Sequence, residues 1–208
     1  MAFDILRSDG LDGLTMRTLA AKLGVAVTAI YWHVGDKQAL LDELVDRIIA
    51  EVGEVRVTGG SPADRLLSIG RSLRQNLLDQ PNLVALVHRQ GRTPVLFLPA
   101  QRVVAEELTN AGLHGADAAR AVHAFLRLVI GSVILERTEQ RSPDQRETVE
   151  ELWARERLSL HSTLAEHLAR PVDRDELFEF SLSALVRALV TQPAPPWPAS
   201  SAQSYNAT

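Results

Sequence analysis

Three times along this 208-residue chain a hydroxyl residue stands directly before a proline: Ser61-Pro62, Thr93-Pro94 and Ser142-Pro143. Each pair reads as a helix N-cap followed by the first helical position. The hydroxyl accepts a hydrogen bond from an otherwise unpaired helix amide, and proline stands where no amide donor is needed. Asp36 is a further N-cap, since Leu40, Leu41, Leu44, Val45, Ile48 and Ile49 follow it at helical spacing. Asp173 with Glu176 three residues on resembles a capping box. No segment alternates apolar and polar residues between hairpin turns. The expected fold is therefore all-α, with helices over about 1–9, 15–23, 27–33, 36–56, 62–79, 82–89, 94–111, 116–139, 143–168 and 173–191. Gly53, Gly59 and Gly60 mark a junction after the fourth of these. The expected division is a domain over 1–50, a larger one over 51–191, and a mobile Pro-, Ala- and Ser-rich tail over 192–208.

Composition narrows the function classes. Hydrophobic residues are 46% and charged residues 23%, ordinary for a globular chain with a sizeable core. There is no cysteine, so a disulfide framework and a thiolate metal site are both excluded, and a reducing cytoplasm fits. No run approaches 18 consecutive apolar residues, and the opening MAFDILRSDG lacks the basic and apolar regions of a signal peptide, so no membrane partner is expected. The net charge of −4 argues against an indiscriminate nucleic-acid binder but not against a local DNA-reading face. Serine, histidine and carboxylate converge in no catalytic motif, and there is neither a glycine-rich phosphate loop nor an HExxH spacing. No enzyme activity, cofactor or metal ion is expected.

The informative stretch is LTMRTLAAKLGVAVTAIYWHVGDK, residues 14–37. Leu19, Ala20 and Leu23 form one apolar helical stripe, and Gly24 follows where a tight turn favours a residue without Cβ. Val25 reads as an apolar plug after the turn. A short helix then turns Ile30 and Val34 inward and leaves Val27, Thr28, Tyr31, Trp32 and His33 mostly outside. Trp32 has a second reading, partly in the core against the first helix. A seven-residue helix that shows Tyr, Trp and His to solvent is explained by a helix-turn-helix, whose second helix enters the major groove.

The run Leu14-Thr15, Leu19-Ala20, Leu23-Gly24-Val25, Ile30-Tyr31-Trp32-His33-Val34, Lys37 and Leu40-Leu41 resembles the DNA-binding domain of the tetracycline-repressor (TetR) family. The resemblance is strong over residues 2–50 and weaker beyond, where Gly131-Ser132-Val133-Ile134-Leu135-Glu136 carries it. It implies that Thr15 and Arg17 contact phosphates or bases, that Thr28, Tyr31 and His33 touch backbone or bases, and that Lys37 anchors a phosphate. Two departures bear on operator choice. Val27 stands where the tetracycline repressor has an amide, and Ala29 where it has a hydroxyl, so more apolar contact to thymine methyls is expected. Residues 1–58 are also acidic, with six Lys and Arg against nine Asp and Glu.

Two late helices are apolar nearly all round: Ala121, Val122, Phe125, Leu126, Val129, Ile130, Val133 and Ile134 on one, and Leu177, Phe178, Leu182, Leu185, Val186 and Leu189 on the other. One core needs only a stripe, so two such helices suggest an intersubunit four-helix bundle. Val129, Val133, Phe178, Leu182, Leu185 and Leu189 are the candidate homodimer residues, and the resemblance implies the same pairing. Candidate effector contacts are His88 after Leu86-Val87, Gln101 and Phe97 together on the face of a later helix, His123 and Arg127 at i, i+4, and the apolar Val104, Phe125 and Ile130. His88 falls near a histidine with which the tetracycline repressor holds its magnesium–drug complex. The upstream asparagine of that site corresponds to Gly70 or its neighbour, which argues against tetracycline itself. The leading reading is a homodimeric repressor that binds double-stranded operator DNA and is released by a small-molecule effector. The alternative is a helical small-molecule-binding protein or enzyme whose DNA motif is vestigial.

Overall fold

The structure, a computed structural model, describes residues 1–52, 54–141, 151–153 and 162–191. Regular structure among the described residues is helical. The helices are α1 (Ala2–Gly13), α2 (Met16–Leu23), α3 (Val27–Val34), α4 (Lys37–Val52), α5 (Pro62–Asp79), α6 (Pro81–Arg89), α7 (Thr93–Asn110), α8 (Gly115–Arg141), α9 (Ser162–Leu168) and α10 (Arg174–Thr191). Residues 151–153 are also helical. The expected Ser142-Pro143 cap, most of the 143–168 helix and the tail lie outside the described residues.

Local chemistry sets the N-terminal elements. Thr15 caps α2, its hydroxyl accepting the Thr18 amide at 3.0 Å. Gly24 ends α2 at φ 69°, a left-handed conformation that glycine adopts without strain. The Gly24 amide donates to the Ala21 carbonyl and the Val25 amide to the Ala20 carbonyl, which closes a Schellman turn. That turn directs Val25 outward. Val25 is 45% exposed and Leu23 46%, so neither is the inward residue the sequence suggested. Asp36 caps α4, its carboxylate accepting the Ala39 amide at 2.8 Å. Ile5, Leu6, Leu14, Leu19, Ile30, Leu41 and Val45 are buried together and hold the first four helices as one body.

In the larger body α5 is the central post, packed against α7, α8 and α10. It begins with the capping box Ser61–Asp64, and hydrogen bonds from Ser61 hold the Asp64 carboxyl below its ordinary pKa. Gly70 lies at the crossing with α8 and α10. A Cβ there would come within 2.8 Å of Leu182 and 3.3 Å of Phe125, so the close approach depends on glycine. Three arginines of α5 then lock its partners. Arg65 pairs with Glu107 of α7 at 2.7 Å, and Arg71 pairs with Glu179 of α10 at 2.7 Å. Arg74 forks onto both oxygens of Glu136 of α8 at 3.0 Å, reaches Asp175 of α10 at 2.6 Å, and stacks over the Phe178 ring. Glu107 and Glu136 are buried, so these pairs are desolvated as well as bonded.

Two expectations are corrected here. α7 starts at Thr93 with Arg92 as its N-cap, because the Thr93 hydroxyl is engaged by the His88 ring, 3.2 Å away. Val129, Val133, Phe178 and Leu182 are buried in this chain's own core, against α5 and α7, and Leu185 and Leu189 are half-buried against it. The apolar character of Val129, Val133, Phe178 and Leu182 serves this chain's own core. The outward large apolar residues on the same helices are Ile134 and Leu135 on α8 and Leu177 and Phe180 on α10, with Phe180 74% exposed. The segment Gly115–Thr138 contains an 18-residue window of mean hydropathy 1.6, long and apolar enough by composition to cross a membrane, but here it packs beside α5, α7 and α10.

Arg74→Met should cost about 3–5 kcal/mol, because it strands the buried Glu136 carboxylate. The double variant Arg74→Met/Glu136→Leu should recover most of that loss, read from urea unfolding midpoints at one protein concentration.

Candidate nucleic-acid interface and effector cavity

The Schellman turn at Gly24 sets α3 across α2, with Ile30 as its buried anchor and Val34 half-buried. The rest of α3 faces outward. Val27, Thr28, Tyr31 and His33 are exposed, Trp32 is 90% exposed, and Ala29 is half-buried. Trp32 therefore lies fully outside the core, which closes the alternative that it packs on α1. An indole, a phenol and an imidazole on one exposed helix offer stacking surfaces, donors and acceptors to a partner. Arg17 on α2 and Lys37 at the first turn of α4 flank this helix in the chain, both exposed and with no hydrogen bond or ion pair among the described residues. Thr15 has a defined structural task, since its hydroxyl also bonds that of Thr18 at 2.7 Å.

The acidic excess of this body is partly neutralised away from α3. Asp9 lies 3.8 Å from Lys22, Asp12 lies 4.0 Å from Arg89, and Arg92 donates to Asp46 at 2.6 Å. Such exposed pairs add little stability, but they cancel charge locally and leave Arg17 and Lys37 as uncommitted cations.

A cavity of about 320 Å³ opens between α5, α6, α7 and α8. Leu77, Val84, Ala85, Leu96, Phe97, Ile130, Val133 and Ile134 give it an apolar lining, with His88, Thr93, Arg137 and Thr138 as the polar groups. Of the residues singled out from sequence, His88, Phe97 and Ile130 line it. Val104 and Phe125 are instead fully buried in the core, Gln101 is half-buried outside the lining, and His123 and Arg127 are exposed on α8. Gly70 contributes nothing to the lining because it is consumed by the α5 crossing. Val133, expected at a subunit interface, is a cavity wall. Arg137 and Thr138 are among the lining residues that sequence reasoning missed, since Arg137 directly follows Glu136 and reads as one half of a surface pair.

α6 joins the two regions. Its residues Val84, Ala85 and His88 face the cavity, and the helix packs against α1 and α4. Asn82 donates to the Arg7 carbonyl at 3.0 Å, Gln38 donates to Gln90 at 3.0 Å, and Arg92 reaches Asp46 on α4.

Residues 58–192 match the family model described as the tetracyclin repressor-like C-terminal domain, and residues 2–44 match that of bacterial regulatory proteins of the tetR family. The chain belongs to the TetR family of transcriptional regulators. An HTH-type transcriptional regulator of Saccharopolyspora erythraea is 33% identical over 174 residues, covering 83% of this chain and 68% of the relative. The class A tetracycline repressor protein of transposon 1721 from Escherichia coli is 35% identical over 137 residues, covering 65% of this chain and 63% of the relative. Among solved structures, the Streptomyces coelicolor TetR family protein ActR in complex with actinorhodin superimposes with a TM-score of 0.61 at 27% identity, over 91% of this chain and 93% of that one. The helix bearing Tyr31, Trp32 and His33 is thus the second helix of a TetR-type helix-turn-helix.

Lys37→Ala should weaken binding similarly on all operator sequences and reduce the salt slope by about 1 per subunit, as a phosphate contact carries no base information. Thr28→Ala or Tyr31→Ala should instead change sequence preference. Fluorescence anisotropy across a salt series and a panel of operator variants separates the two behaviours.

Proposed function

We propose that this TetR-family chain is a homodimeric repressor that binds a palindromic operator in the bacterial cytoplasm and is released by a small molecule held in the cavity. The observation that carries this reading is the position of α6, one face on the cavity and the other on α1 and α4. The working division is a reading module over 1–50 and a sensing and pairing module over 51–191, with Arg17, Val27, Thr28, Ala29, Tyr31, Trp32, His33 and Lys37 at the DNA. Val27, at the first position of α3, is exposed and apolar, which suits a thymine methyl. ActR forms a complex with actinorhodin, and the similarity in fold supports a ligand-binding role for the larger domain here.

Dimerisation has a physical basis in α8 and α10. Ala124, Leu128, Gly131 and Leu135 follow one another at helical spacing on α8, all exposed or half-buried. Leu177, Phe180, Ala184 and Ala188 do the same on α10. A two-fold pairing of these faces buries the phenyl ring and the leucines in a four-helix bundle, with small residues at the centre allowing close approach. It also sets two copies of α3 at a fixed separation, which a palindrome with half-sites about 34–36 Å apart would match.

An occupied cavity acts on α6, and α6 acts on α1 and α4. No residue of α4 lines the cavity, so a bound molecule acts on the helix that begins at Lys37 through the helices that do, chiefly α6, with α5 and α7 also packed against α4. A ligand can drive release only to the extent that it prefers the released arrangement.

Sedimentation at micromolar concentration should show a dimer for the native chain and a monomer for Phe180→Glu. Selection of bound sequences from a random duplex pool should return an inverted repeat. A native monomer, or a selected site without two-fold symmetry, would overturn the proposal.

A further inference from the structure

Between α4 and α5 the chain doubles back, and residues 54–58 lie along α5 by way of their backbone. The Asn76 side-chain amide donates to the Glu54 carbonyl at 2.7 Å. The Arg56 amide donates to the Ser72 hydroxyl at 2.9 Å, and the Thr58 amide to the Ser68 hydroxyl at 2.8 Å. The two partners run antiparallel, and each step of two residues in the segment meets a step of four in α5. The spacings agree. Two residues of extended chain advance about 6.6 Å and four residues of helix about 6.0 Å, so three rungs stay in register. Ser68 suits this use, since its hydroxyl proton goes to the Arg65 carbonyl at 2.8 Å and its lone pairs face the Thr58 amide. Ser68, Ser72 and Asn76 are half-buried on one face of α5, and Val55, between the first two rungs, packs on the core.

Glu54 stands two residues beyond Val52, the last residue of α4, so the rungs hold that end of α4 on the α5 post. Nearer its other end, α4 meets the turn after α6, Gln38 through Gln90 and Asp46 through Arg92. We propose that residues 54–58 are a strap that anchors the C-terminal end of α4, that α4 turns about this end when the cavity fills, and that Ser68, Ser72 and Asn76 are positioning residues for operator binding. This rests on the reading of α4 as a helix displaced on release, and it adds where α4 turns and what holds it there. Along the helix axis Asp46 lies about 9 Å from Val52 and Lys37 about 22 Å, so a displacement at Asp46 is magnified about two and a half times at Lys37. An unanchored α4 slides instead of turning, and that gain is lost. The exposed Gln38–Gln90 bond lies at the moving end, where water replaces it at little cost.

The chain has no cysteine, so Ala21→Cys on α2 and Glu106→Cys on α7, both exposed positions, take two spin labels selectively. Labelled chain is diluted in excess unlabelled chain, so that only distances within one subunit are read. Pulsed dipolar spectroscopy should give one narrow distance, and Ser68→Ala/Ser72→Ala/Asn76→Leu should broaden it about twofold or more as the end of α4 comes free. On an inverted repeat selected from the random duplex pool, the unlabelled triple variant should bind at least about fivefold more weakly with an unchanged salt slope, because no phosphate contact is lost. Ser72→Thr keeps the acceptor and should keep the native width. A native width in the triple variant overturns the strap, as does a broadened distance with undiminished operator affinity. Equal broadening by Ser72→Thr and Ser72→Ala overturns the hydrogen-bonded anchor. Should the triple variant lose its cooperative thermal transition, Ser72→Ala alone decides, broadening upholding the strap and native width overturning it. If the pool returns no site, the repressor reading fails and the distance measurement decides the strap by itself.

Discussion

The nine residues of α6 belong to two sets of contacts at once. Leu83, Leu86 and Val87 are fully buried, so the helix cannot move without disturbing its neighbours. Its flanks carry the remaining ties: Asn82 to Arg7 at one end, Gln90 to Gln38 and Arg92 to Asp46 at the other. Close packing does not deform smoothly, so a new occupant against Val84, Ala85 and His88 has to be absorbed by shifting α6 as a body or by melting part of it. Either response reaches α1 and the N-terminal half of α4, and through them α3.

Such a lever works only against something that does not yield. That role falls to α5, pinned to α7, α8 and α10 by Arg65, Arg71 and Arg74. Buried ion pairs are a weak source of net stability, since desolvation offsets most of the attraction, but their geometry is demanding. The Arg74 fork fixes the register of α5 against α8, and Gly70 lets α5 approach Leu182 and Phe125 closely enough for the fork to reach. Hydrogen bonds from Arg71 hold the Glu179 carboxyl below its usual pKa, against the opposing effect of burial, so that tie persists as pH falls through the ordinary carboxylate range.

What was legible in the chain follows the range of the interaction that fixes it. Ser61, Asp36 and Asp173 could be read as caps because a cap bonds amides two or three residues away. The turn at Gly24 and the outward aromatics of α3 were legible for the same reason. Thr93 misled, because its hydroxyl found His88 instead of its own helix. The apolar helices misled in a different way. Val129, Val133, Phe178 and Leu182 are indistinguishable by type from Leu135, Leu177 and Phe180, and only the tertiary packing decides which set faces this chain's own core. Nine of the twelve residues lining the cavity were hidden likewise. Arg137 beside Glu136 reads as an ordinary surface pair, yet the two point to different partners, one to Leu77 and the other to Arg74.

The central claim is that cavity and operator are coupled through α6, and linkage makes it directly measurable. An effector found by thermal-shift screening, and lost on Ala85→Trp, is titrated calorimetrically with and without saturating operator. The account predicts that operator weakens effector binding by about 5–150-fold, the usual range of allosteric coupling, and that the effector weakens operator binding by the same factor. Equal effector affinity in the two titrations would contradict it, leaving a binding cavity that is not connected to the DNA.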